Sequence, residues 1–161
     1  MNPLFISERE YLPAISPTER DEHARKWAVD PVWCMLTSGA MNVGTTRQRL
    51  YDLLGIDSVN IVNLLPPDNK PGTWDSELAR KNADTLMWRL YNVYGHVHVV
   101  ALGRRVQRAI KAGLRQIPFG RPVLCLFGTA LILSHPSGRC RIWNNEGERV
   151  RLRRAFKEFS K

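Results

Sequence analysis

Apolar residues along this chain fall into short clusters separated by polar, glycine- and proline-rich turns, and the clusters alternate between the helical and the extended period. Ser16, Pro17 and Glu19 form a capping box with proline at the first helical position, which predicts a helix over 16–28. Residues 31–37, bounded by Pro31 and by Ser38-Gly39, read as a buried strand. Leu50, Leu53 and Leu54, closed by Gly55, give a short helix, and 58–63 a second strand. A proline- and glycine-rich loop, 64–74, leads into the longest helical pattern, 75–93, with Leu78, Leu86, Leu90 and Val93 on one broad face and Gly95 as its stop. The strand 96–102 alternates only at its start and then turns wholly apolar, as a central parallel strand does. A helix over 103–113 buries Val106 and Ile110, one or two strands follow over 122–127 and 129–134 with a break at Gly128, and a last helix spans 148–159.

Strands alternating with helices imply a largely parallel sheet with right-handed crossovers. The expected fold is α/β, a three-layer α/β/α sandwich around a central, mainly parallel sheet of four to five strands. At 161 residues, the chain is read as a single domain, 1–161, with 1–30 as a helical extension packed on it. No apolar run approaches the ~18–20 residues that span a bilayer, and the N-terminus has no signal-peptide pattern. A monomer is expected, cytoplasmic or nucleoid-associated and of cellular or viral origin, with no membrane contact.

Charge changes the picture. Lys and Arg number 24 against 15 Asp and Glu, a net charge of +9. The first thirty residues hold more acids than bases, so the excess lies in the rest of the chain. A polyanionic partner is expected, DNA before an anionic membrane. The cysteines, Cys34, Cys125 and Cys140, are scattered and no Cys/His cluster occurs, which excludes a zinc ribbon or a four-cysteine iron–sulfur cluster. No metal and no cofactor is expected.

In an open α/β sheet the ligand site forms beyond the carboxyl ends of the strands. That rule selects Ser38–Gly44, Asn63–Pro67, Gly103–Arg105 and His135–Arg141, which bring Asn42, Asn63 and His135 to one rim. Pro136 drives His135 towards extended geometry. Ser137 and Gly138 offer a hydroxyl and an open backbone N–H, and Arg139 and Arg141 add charge suited to a phosphodiester.

Two of these segments together resemble the uracil-DNA glycosylase superfamily. Ala40-Met41-Asn42-Val43-Gly44 looks like the G-[IM]-N-P-G first motif of its mismatch-specific and single-strand-selective branches, and His135-Pro136-Ser137 matches their H-P-S second motif. Asn63 falls where that family has a base-reading asparagine. The resemblance covers roughly residues 31–160 in motif and strand order. Val43 stands where the family has proline and Ala40 where it has glycine, and the four cysteines of the iron–sulfur branches are absent. The resemblance implies a monofunctional DNA glycosylase that flips a uracil or modified pyrimidine from DNA and hydrolyses its N-glycosidic bond.

Residue by residue, that chemistry needs an amide to read the Watson–Crick edge, a group to hold water near the sugar, and a donor facing the departing base. The candidates are Asn63 with Met41 for the base, Asn42 for the water and neutral His135 for the donor. Gly44, Arg104, Arg105, Ser137, Gly138, Arg139 and Arg141 are candidates for the DNA backbone. Trp143 is either a wedge that fills the vacated stack or a residue packed under the loop. Trp74 and Tyr51 are further aromatics for base stacking. Two other functions fit the same residues. A non-catalytic nucleic-acid-binding relative is favoured by Val43 and by an asparagine in place of an aspartate, and a nucleoside or nucleotide glycosidase would act on a monomer.

Overall fold

A computed structural model describes residues 3–4, 33–37, 45–56, 61–65, 74–113, 116–136 and 141–161. The protein is mixed α/β. Its strands are β1 (Pro3–Leu4), β2 (Trp33–Thr37), β3 (Ile61–Asn63), β4 (Val97–Leu102), β5 (Pro122–Cys125) and β6 (Gly128–Leu133). Its helices are α1 (Thr45–Leu54), α2 (Ser76–Tyr94), α3 (Arg104–Ala109) and α4 (Glu146–Phe159), with a 3-10 turn over Arg141–Asn144.

β2 pairs in parallel with β4 on one edge, and with both β1 and β3 on the other, β1 at its first residues and β3 at its last. β4 pairs in parallel with β6, and β5 closes the edge antiparallel to β6. From β2 the chain steps outward to β3, then returns past β2 to β4 and β6. Right-handed crossovers running in opposite directions put their helices on opposite faces. The buried side chains show that division. Val97, Val99, Ala101, Ala130 and Ile132 pack with α2 and α3, whereas Val100, Leu102, Leu131 and Leu133 pack with α1, α4 and Trp143.

Local chemistry sets the ends of these elements. Asp75 caps α2 by accepting from the Leu78 N–H at 3.0 Å, and Gly95, at φ 77°, ends it by donating to the Tyr91 carbonyl. Asn145 caps α4 by accepting from the Glu148 N–H at 3.0 Å. The α2 residue Asn82, buried, donates to the Leu64 carbonyl at 2.7 Å and so fixes the chain as it leaves β3. Arg153 of α4 donates to the carbonyls of Leu53 and Asp52 at 2.9 Å, capping the carboxyl end of α1.

The structure changes one expected boundary and adds two details. The helix expected over 103–113 stops at Ala109, because Lys111 takes a left-handed φ of 54° and the Ala112 N–H bonds back to the Gln107 carbonyl. The strand pair near Gly128 is an antiparallel hairpin. Of the extension 1–30, the described part, Pro3–Leu4, is a strand paired to β2, while the expected helix 16–28 lies outside the described residues. No helix among the described residues is long and apolar enough to cross a membrane.

Gly128 opens β6 directly against β4. A Cβ there would collide with the Val97 carbonyl oxygen, a backbone atom that cannot move aside without breaking the β4–β6 pairing. Gly128→Ala is expected to destabilise the fold by about 3 kcal/mol or more, at the upper end of single substitutions. A urea midpoint within error of the wild type would show that β4 and β6 do not meet in this register.

Candidate functional site

The carboxyl ends of β3, β2, β4 and β6 lie in that order along one rim of the sheet. Strand order reverses at β2, so the crevice that a doubly wound sheet offers a ligand opens between β2 and β4. Asn63 ends β3 and pairs in register with Thr37, the last residue of β2. It is buried. From Asn63 to the end of β6 is three strand spacings, about 14 Å at ~4.8 Å each.

His135 leaves β6 through Ser134. It adjoins the end of β4: the Gly103 N–H donates to the Leu133 carbonyl at 2.8 Å, and a Cβ on Gly103 would lie 3.8 Å from the His135 Cβ. Gly103 has φ 95°, which lets the backbone turn from β4 into α3 beside the histidine without strain. His135 is half-buried, and that burial holds its imidazole below the usual histidine range, so the ring is neutral near pH 7.

Trp143 is fully buried under the rim, and its indole Nε1–H donates to the Ser134 carbonyl at 2.8 Å. It therefore takes the packed place of the two expected for it. A ring so enclosed, with its donor engaged, does not reach a base stack, and the wedge role is withdrawn. Ile142, beside it, packs partly buried against the same core.

The arginines divide sharply. Arg104 folds back over the Phe119 ring, 4.0 Å from its centroid, and donates to Gln107 Oε1 at 2.9 Å. Arg105 is exposed, with its guanidinium 5.7 Å from the Trp74 ring centroid. Arg141 is exposed on the 3-10 turn. Arg151 is committed to Glu148 through two bonds, the shorter 2.7 Å, and to the Phe119 carbonyl at 2.7 Å. Arg151 and Arg153 thus serve the fold, while Arg108 and Arg154 remain exposed. Tyr51 packs partly buried against the α1–α4 core.

Two rim residues escape the sequence reading. Because β5 runs antiparallel, the segment before it comes to the carboxyl end of β6, where the Gly120 N–H donates to the Ile132 carbonyl at 2.7 Å. That brings Phe119 against Arg104 and exposed Arg121 to the carboxyl end of β6. The signal was present: a connection of two or three residues between strands permits only a hairpin, since a parallel pair needs a crossover of a dozen or more.

Met41, Asn42, Val43 and Gly44, together with Ser137, Gly138, Arg139 and Cys140, lie outside the described residues. In the chain the first group comes after β2 and the second after His135 and Pro136. Among the described residues no group of three or more His, Cys, Asp or Glu gathers as a metal site. Compared with models of known protein families and with curated proteins, the chain matches none.

His98, on β4, shares the fate of His135: burial first, and the neighbouring His96 second, lower it. Both imidazoles therefore bind protons less readily folded than unfolded. The stability of their neutral forms is complete above the unfolded value of about 6.5 and is lost as pH falls through the lower folded values. The urea midpoint is expected to fall between pH 7 and pH 5, and His135→Asn to shallow that fall. A midpoint that is flat or rising as pH drops across this window would mean the rings are not held neutral by the fold.

Proposed function

We propose that the protein is a DNA glycosylase that hydrolyses the N-glycosidic bond of uracil or a modified pyrimidine, in a three-layer α/β/α sandwich of the uracil-DNA glycosylase type. The observation that carries this reading is the rim. Asn63, the Gly103–Arg105 turn and His135 stand at the carboxyl ends of neighbouring parallel strands, around the point where strand order reverses. Asn63 and His135 follow strands three spacings apart, with the carboxyl ends of β2 and β4 between them.

Breaking the bond builds positive charge on the sugar and negative charge on the leaving base. The Asn63 amide offers a donor and an acceptor to the Watson–Crick edge. His135 in neutral form donates an N–H towards the base oxygen where the anion grows, and a half-buried site makes that bond count for more than in water. Asn42 holds the water by its carbonyl oxygen and Met41 borders the base. Arg105, Arg121 and Arg141 face solvent and neutralise phosphates, and Arg104 does so with the donors left over from Gln107. Gly44, Ser137, Gly138 and Arg139 complete the backbone contacts. DNA is the partner, no membrane or cofactor takes part, and the compartment is cytoplasm or nucleoid.

A binding-only relative is the second reading, and one observation favours it. Arg151, Arg153 and Trp143, all from the stretch after the second motif, are engaged within the fold rather than at a nucleic-acid surface.

Labelled single- and double-stranded oligonucleotides carrying uracil or hydroxymethyluracil, treated with the protein and then alkali, separate the two. Breaks at the modified base are expected; retarded mobility without breaks would establish the binder, and base release from nucleosides alone a monomer glycosidase. His135→Ala is expected to lower the single-turnover rate by ~10²–10³ while DNA affinity stays within a few-fold. An intact rate would remove His135 from the chemistry. Asn63→Asp replaces a donor with an acceptor, and is expected to change which base is released more than the overall affinity. Uniform losses for every base would make Asn63 structural.

Charge reversal of Arg104 and Arg105 together is expected to weaken DNA binding and to flatten its salt dependence by about two phosphates, at ~0.7–0.9 each. An unchanged slope would take this turn out of the interface.

A further inference from the structure

At the amino-terminal end of β4, opposite the rim, His98 lies on the strand and His96 in the bend just before it. His98 meets Phe159 of α4 edge-on with centroids 5.8 Å apart. The two imidazole centroids are 5.0 Å apart at an interplanar angle of 59°. His96 is exposed and His98 half-buried, which leaves the pair open to solvent.

We propose that His96 and His98 form a two-histidine chelate for a late first-row divalent cation, Cu(II) above Ni(II) and Zn(II), with water completing the coordination. A metal 2.0–2.1 Å from one nitrogen of each ring puts the ring centroids roughly 4.5–5.2 Å apart for ligand angles between square-planar and tetrahedral. The observed separation lies inside that range.

The surroundings favour ligation as well. Nε2 of His96 lies 2.8 Å from Oγ1 of Thr129, the register partner of His98 on β6. With the Nε2–H donated to that hydroxyl, Nδ1 keeps its lone pair for the metal, the arrangement by which an outer partner fixes a ligating histidine's tautomer. Phe159 restrains the other ring. Neutral imidazole suits copper, nickel and zinc, and their order of affinity puts copper first. Since no third His, Cys, Asp or Glu joins the pair among the described residues, the chelate is bidentate and the remaining positions are open. His96 immediately precedes β4 and His98 lies within it, so the ion rigidifies the start of β4 rather than cross-linking two elements.

The test is titration of the full chain with Cu(II) by calorimetry, with electron paramagnetic resonance of the bound ion. One site per chain with hyperfine structure from two imidazole nitrogens is expected. His96→Gln, at an exposed position, is expected to weaken binding roughly 100-fold by removing one arm of the chelate, and His98→Gln to do the same. Thr129→Val should weaken it by about tenfold, through the tautomer alone. The chain has four histidines, and His23→Gln is expected to leave the binding as it is. Copper affinity unchanged in His96→Gln, a spectrum with one nitrogen, or wild-type binding no tighter than about millimolar would each overturn the proposal.

Discussion

Burial of β4 on both faces and both edges is the constraint from which the remaining architecture follows. Five of its six residues, Val97 and Val99–Leu102, are buried. A strand that is apolar on both sides cannot lie at an edge or leave a face to water. Its odd-numbered side chains require α2 and α3, its even-numbered ones require α1 and α4, and its edges require β2 and β6. One chain with right-handed crossovers covers both faces only if it reverses direction along the sheet. That reversal, at β2, opens the crevice beside β4. The rim is therefore a by-product of burying β4, and Gly103 lets the backbone leave the strand within contact of His135.

Much of this was legible because it rests on periods and caps. The apolar run of Val97 to Leu102, the Gly95 stop of α2, and the α/β order needed only side-chain spacing and local chemistry. Strand direction was harder to read. An apolar run such as 122–125 looks the same parallel or antiparallel, and here the tight connection at Leu126-Phe127 decides, forcing a hairpin that swings Phe119 and Arg121 to the rim. The end of α3 was invisible for a different reason. Nothing in the sequence announces that Lys111 adopts a left-handed backbone.

The candidate site was legible in kind rather than in detail. Strand-end position put Asn63 and His135 at one rim, and net charge pointed to a polyanion, but charge does not say which arginine meets it. A guanidinium has five donors and seeks carbonyls as readily as phosphates. Arg153 finds the open carbonyls at the end of α1, a hundred residues away in sequence, and Arg151 finds Glu148 and Phe119. Such tertiary partners leave no local signature. Arg105 and Arg121, which face solvent, are chemically the same residue in sequence.

α4 couples the two ends of the sheet. At about 21 Å for fourteen residues, it runs from the rim to the start of β4. The 3-10 turn that precedes it places Trp143, whose indole holds the Ser134 carbonyl immediately before His135. Its last turn places Phe159 against His98. Between them Leu152 and Phe156 lock the helix to Leu131 and Leu133 of β6. Trp143, in the packed one of its two expected places, is thus a positioning residue: it sets the backbone from which His135 projects, and the helix it introduces sets the environment of a second histidine at the far end. Burial lowers both rings, that of His135 at the rim and that of His98 at the start of β4. The packing that stabilises the α4 face thereby also sets the protonation of both histidines.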